Sequence, residues 1–139
     1  MLIEGGCYCQ NVRYTSAGPM LFKAECYCRE CQYISGGGAT MVCAVPSDSF
    51  AITHGAPKSF ARGDLAGAVT REFCADCGTH LFTRAPLFPQ GVILKVGTLD
   101  DPATMFGRAD FAAFACDAQP FHRLPTDQPV HQRWPAPSA

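Results

Sequence analysis

The chain has almost no net charge: eleven Lys and Arg stand against twelve Asp and Glu, for a formal charge of −1. That leaves no broad electrostatic footprint, so neither nucleic acid nor an anionic membrane surface is expected as a partner. No apolar run approaches the length that crosses a bilayer. The opening stretch Met1-Leu2-Ile3-Glu4-Gly5-Gly6 has no basic segment followed by an apolar one, and the expectation is a cytoplasmic chain. No internal repeat and no linker divides the sequence, so the 139 residues are expected to form a single domain with one core. The proline-rich stretch from Pro120 to Ala139 is expected to be an extended covering tail of that domain.

Against these absences stands an excess of cysteine, nine in all. An odd count argues against a full disulfide framework. In a reducing compartment clustered thiols read as metal ligands or redox groups. Seven of the nine fall into clusters: Cys7/Cys9, Cys26/Cys28/Cys31 and Cys74/Cys77. Cys43 lies inside the apolar run Ala39–Val45 and reads as a small buried hydrophobe. His54 stands next to a turn without a histidine or carboxylate partner at metal spacing, and reads as no ligand. The pattern Phe73-Cys74-Ala75-Asp76-Cys77-Gly78 has β-like flanks on both sides. It reads as a zinc knuckle, with Gly78 permitting a left-handed exit. A redox C-x-x-C would sit at the start of a helix in a βαβ unit.

The pattern between the cysteines is one of short strands. Alternating or apolar β-forming runs are expected at 12–15, 20–24, 39–45, 50–54, 58–62, 69–73, 81–84, 92–96 and 109–114. Turn signals separate them, with a single helical turn near Pro102. The run 92–96 is the best candidate for a central strand. Gln32 to Gly38, with three consecutive glycines, reads as a connecting loop. The fold class is therefore all-β, built of antiparallel sheets with thiol clusters at strand ends and helical turns only.

Four thiols close a tetrahedral zinc site, and three leave one position open. The most economical division closes one structural Zn²⁺ with Cys7, Cys9, Cys74 and Cys77, although spacing also permits Cys74/Cys77 to pair with two of the other three. Cys26, Cys28 and Cys31 would then hold a second, open zinc. An open three-thiolate zinc suits a soft sulfur ligand and keeps it nucleophilic, so a small thiol or a thiol adduct of an aldehyde is the expected partner.

These motifs, Gly6-Cys7-x-Cys9, Cys26-x-Cys28-x-x-Cys31 and Phe73-Cys74-x-x-Cys77-Gly78-x-x-Leu81-Phe82, resemble those of the glutathione-dependent formaldehyde-activating enzyme (GFA, or CENP-V) family. The resemblance runs from Gly5 to about Trp134. It implies an Mss4-like fold of antiparallel sheets and the same two zinc sites. It also implies carbon–sulfur lyase activity on S-hydroxymethylglutathione, the adduct of glutathione and formaldehyde. Two positions depart from the family pattern: Tyr27 stands where a histidine is usual, and Gln10 where a glycine is usual. Arg29, Lys23 and Arg84 are candidates for meeting substrate carboxylates, and no residue is singled out as a general base. Tyr27 reads first as an aromatic packing residue. Two other classes compete. One is a non-catalytic zinc-binding interaction or chaperone module with an Mss4-like fold. The other is a redox enzyme of methionine sulfoxide reductase type, which would need Cys116 as nucleophile with a histidine pattern that Asp117 and His122 do not supply.

Overall fold

A computed structural model describes residues 1–136; the last three residues of the expected tail, 137–139, lie outside the described residues. Ten strands occur in chain order. They are β1 (Ile3–Gly6), β2 (Arg13–Ser16), β3 (Phe22–Cys26), β4 (Thr40–Pro46) and β5 (Phe50–His54), then β6 (Lys58–Phe60), β7 (Thr70–Phe73), β8 (His80–Arg84), β9 (Gly91–Lys95) and β10 (Phe111–Ala113). Two short α-helices, α1 (Arg29–Ser35) and α2 (Pro102–Met105), and three single 3₁₀ turns complete the described residues. No helix among them is long and apolar enough to cross a membrane.

The strands form two sheets. The smaller has the order β1-β2-β5, and the larger β10-β3-β4-β9-β8-β7-β6. β4 and β9 are the innermost pair because their sequences are apolar on both faces, which only a strand covered on both sides tolerates. Val42, Cys43, Ala44 and Val45 are all buried, as are Val92 and Leu94. The expected central strand is therefore central, and Cys43 is a fully buried core residue.

One face of the large sheet packs on the small sheet. Cys43, Leu94 and Phe82 meet Ile3, Val12 and Tyr14 in one apolar cluster. Phe50 of β5 bridges the layers, its ring 5.6 Å from Tyr14 and 4.8 Å from Phe82. Fully burying such side chains contributes about 1.5–3 kcal/mol each. The other face of the large sheet is where the cavity described below is found.

Three features differ from the sequence expectation. First, β1 was not expected, because Gly5-Gly6 reads as a turn. The glycines are there for closeness: a Cβ on Gly5 would stand 2.4 Å from the Tyr14 hydroxyl and from the Thr98 carbonyl. Second, the sheets are not purely antiparallel. β10 returns beside β3 in parallel, pairing Phe111 with Ala24 and Ala113 with Cys26, while the other named pairs are antiparallel. Third, residues 32–35 are helical and not a loop. Cys28 caps α1 through its sulfur, which accepts from the Cys31 N–H at 3.4 Å, and Gly36 ends the helix at φ +80°. The glycine run is the helix stop, which needs a residue at home in the left-handed region.

The tail runs along β10. The Ala112 N–H donates to the Pro129 carbonyl, and the His131 N–H donates to the Ala112 carbonyl. Trp134 lands edge-on against Phe22 at 4.9 Å and Phe111 at 5.4 Å.

Candidate metal centres

Two thiol clusters form among the described residues. Cys7, Cys9, Cys74 and Cys77 bring their sulfurs within 4.8 Å of one another, and so do Cys26, Cys28 and Cys31. All nine cysteines are free thiols.

The four-thiol cluster joins two knuckles that are distant in sequence. The first follows β1, where the Cys7 sulfur accepts from the Val12 N–H at 3.2 Å. The second follows β7, where the Cys74 sulfur accepts from the Cys77 N–H at 3.5 Å and Gly78 exits at φ +77°. Each loop thus presents its sulfurs by bonding its own backbone to one of them. Two cross-links hold the loops together: the Tyr8 N–H donates to Thr79 Oγ1, and Asn11 Nδ2 donates to Asp76 Oδ2 at 2.8 Å. Sγ–Sγ separations are 3.6 Å for Cys7–Cys9 and 3.7 Å for Cys9–Cys74. A tetrahedral zinc with Zn–S near 2.3 Å needs sulfur–sulfur edges of about 3.8 Å, so the donor set fits that ion. The Thr79 hydroxyl, 3.1 Å from the Cys77 sulfur, helps hold that thiol down to about 5.

The departure at Gln10 has a local account. Gln10 adopts φ +68°, the left-handed region in which glycine is the easy choice. Its side chain offsets the strain: Nε2 donates to the Cys7 carbonyl at 3.0 Å, and Oε1 accepts from Arg13, which is paired in turn with Asp100.

The three-thiol arc is local. Cys26 ends β3, Cys28 caps α1 and Cys31 lies in its first turn, so a strand end and a helix start converge on one point. Hydrogen bonds from the Cys26 and Cys28 thiols pull Cys31 down to about 3, and the same exchange pushes Cys26 far up. The three sulfurs compete for protons because three thiolates cannot share so small a space uncompensated. A divalent soft cation resolves that conflict, so this donor set also fits zinc, with a fourth position outside the protein's own ligands.

The arc opens into a cavity of about 480 Å³, whose walls include Phe22, Val42, Ile93, Phe114 and Trp134. A second cavity of about 510 Å³ shares Arg29, Glu30, Val69 and Arg71 with the first and extends past Tyr33, Phe60 and His80. None of the four-thiol residues lines either cavity.

Of the three basic candidates, only Arg29 lines the cavities, its guanidinium over the Tyr33 ring at 5.0 Å. Lys23 donates to the Phe106 carbonyl at 2.9 Å, and Arg84 is paired with Glu72. Arg71, paired with Glu30, is at the cavity instead. Its place between Thr70 and Glu72 on an ordinary strand offered no signal. Tyr27 is a packing residue. It is 2% exposed, its hydroxyl donates to Glu25 and to the Arg123 carbonyl, its ring meets His122 edge-on, and it lines neither cavity. His54 bonds the Asn11 carbonyl, away from both clusters. Cys116 is exposed beside Asp117, while both ring nitrogens of His122 are engaged elsewhere, with the Gly37 carbonyl and the Gln119 N–H.

Fold and site define a strand-rich protein with one closed and one open thiol cluster, the open one in a cavity. Residues 2–117 match the glutathione-dependent formaldehyde-activating enzyme family, and the chain belongs to it. At family level the chemistry is therefore glutathione-related and of a formaldehyde-activating, lyase type. The fold is similar to that of a Rhodobacter sphaeroides protein solved as a structural-genomics target, with a TM-score of 0.57 and 17% identity over 70% of this chain and 87% of that one. No curated protein matches the chain.

Proposed function

We propose that this protein is a zinc-dependent carbon–sulfur lyase acting on a small thiol adduct such as S-hydroxymethylglutathione. Cys7, Cys9, Cys74 and Cys77 would hold a structural zinc, and Cys26, Cys28 and Cys31 a second one. A zinc held by three thiolates supplies an acceptor position for a substrate sulfur and keeps that sulfur deprotonated and nucleophilic at neutral pH. The observation that carries the reading is the contrast in exposure to the cavity: the three-thiol arc lines it and the four-thiol cluster does not.

The chain's own residues supply the rest. Phe22, Ile93 and Trp134 make the cavity apolar, which excludes water from the reacting carbon. Arg29 and Arg71 stand where the two cavities meet and suit the carboxylates of a peptide-like thiol. In this reading residues 1–139 act as one domain, with the tail from about Pro120 as a cover that brings Trp134 to the cavity. Nine free thiols suit a reducing cytoplasm.

The test is zinc per chain in reduced protein prepared without chelator, with turnover of the glutathione–formaldehyde adduct measured in parallel. Two zincs and measurable turnover are expected for wild type. Cys28→Ser should keep the fold, hold one zinc and lose turnover by at least about 100-fold. One zinc in both proteins, with no turnover, would point to a binding module instead.

A further inference from the structure

The sheet register arranges the cavity floor in rows, since residues directly opposite one another share a face. Cys26 pairs with Thr40, Ala24 with Val42 and Val42 with Lys95, and Phe22 with Ala44, Ala44 with Ile93 and Ile93 with Thr83. Lys95 therefore lies one row from the arc, and Thr83 one row further on. Both line the cavity. Lys95 is 8% exposed, and its ammonium nitrogen makes no ion pair or hydrogen bond among the described residues. The Thr83 hydroxyl is buried and has no partner. A buried lysine and a buried hydroxyl are seldom left unpaired, and each such group calls for an explanation.

Electrostatics gives Lys95 one role already. Burial pulls its pKa down, while the thiols of Cys31, Cys26 and Cys28 pull it back up. A counter-charge for the arc alone, however, leaves Thr83 unexplained.

We propose that Lys95 Nζ is the donor that receives the oxygen of the thiol adduct while the arc takes its sulfur, with the unpartnered Thr83 Oγ1, one row further along the cavity floor, as a second donor to the bound ligand. This rests on the reading of the arc as a thiol site. In adduct formation the sulfur's electron pair makes the C–S bond and the carbonyl π pair withdraws onto oxygen. That oxygen accepts an N–H hydrogen bond from Lys95 and takes up a proton, equivalent to the one the thiol released. In cleavage the hydroxyl proton leaves, the C=O bond re-forms, and the C–S pair returns to sulfur. Nζ donates in either protonation state, so the role does not depend on its charge. Donors aimed at an oxygen that gains charge in the transition state are the usual source of large rate effects.

The test uses two stable thiols on zinc-loaded protein, with binding measured by calorimetry: mercaptoacetate, which carries an oxyanion near the sulfur, and ethanethiol, which does not. Wild type is expected to prefer mercaptoacetate by about tenfold or more. Lys95→Met should abolish that preference and leave ethanethiol binding within about twofold of wild type. Thr83→Val, which removes a hydroxyl without a partner and is expected to fold at least as well as wild type, should reduce the preference by about threefold. It carries the test if Lys95→Met does not fold. Equal weakening of both thiols in Lys95→Met would make the lysine a counter-charge alone and overturn the proposal, as would an unchanged preference in both variants. Failure of wild type to bind either thiol would instead overturn the thiol site itself, and this inference with it.

Discussion

The two thiol clusters are built from the same chemistry and differ in reach. Cys26, Cys28 and Cys31 lie within six positions, held by one strand end and one short helix. The four-thiol cluster joins Cys9 to Cys74 across 65 positions and so closes a loop of nearly half the chain. An ion in the second is a cross-link, and its binding energy becomes folding energy. An ion in the first adds little to the fold, because its ligands are already neighbours. It gains a cavity beside it instead. In the proposed reading, stability and reactivity fall to different clusters according to how far apart in sequence their ligands lie.

The largest expected effect separates the clusters by stability. Structural zinc contributes about 10–16 kcal/mol of apparent binding energy, while a domain of this size is stable by about 5–15 kcal/mol. Cys74→Ser is therefore expected to unfold the protein, seen as loss of the cooperative thermal transition by circular dichroism. Cys28→Ser should melt close to wild type. A folded Cys74→Ser variant would break the comparison outright.

A smaller effect sharpens the reactive side. Trp134→Ala removes edge-on contacts to Phe22 and Phe111 and opens one cavity wall. It is expected to cost about 1–2 kcal/mol of stability and to raise KM for the adduct several-fold, with zinc content unchanged. Loss of one zinc in this variant would mean that the tail holds the arc together and does not merely cover it.

On the structural side, Arg13 donates to Asp100 and holds its carboxyl below the ordinary range. A carboxyl whose folded pKa is depressed stabilises above its unfolded value, near about 4. That contribution is lost as pH falls through the lower folded value. Asp100 is 43% exposed, so screening limits the pair to less than about 1 kcal/mol. Chemical denaturation should show wild type above Asp100→Asn by that margin at neutral pH, with the gap closing below about pH 4.

An effect of similar size is expected at Gln10. Alanine there keeps the left-handed strain and loses both side-chain hydrogen bonds, whereas glycine removes the strain. Gln10→Gly should be more stable than Gln10→Ala by about 1 kcal/mol in urea.

Cysteine spacing and strand patterning carried most of this into view. The apolar runs at 39–45 and 92–96 mark the two innermost strands because a strand covered on both faces must be apolar on both. The knuckle at Cys74–Gly78 is legible because its chemistry is complete within five residues. Helix α1 was less legible. Seven residues are too few for a periodic signal, and its cap is a cysteine sulfur in place of an oxygen. β1 was hidden because its glycines answer to the Tyr14 ring across the sheet.

By itself the sequence determined the all-β class and the three cysteine motifs, since local spacing is enough to shape a knuckle or an arc. It also carried the likeness to the formaldehyde-activating family. Only the tertiary structure decided that the Cys7/Cys9 and Cys74/Cys77 knuckles meet each other rather than the arc. It alone placed Arg71, Thr83 and Lys95 on the cavity floor. Those outcomes depend on strand order and register, which pair residues tens of positions apart, and no local pattern records such pairings.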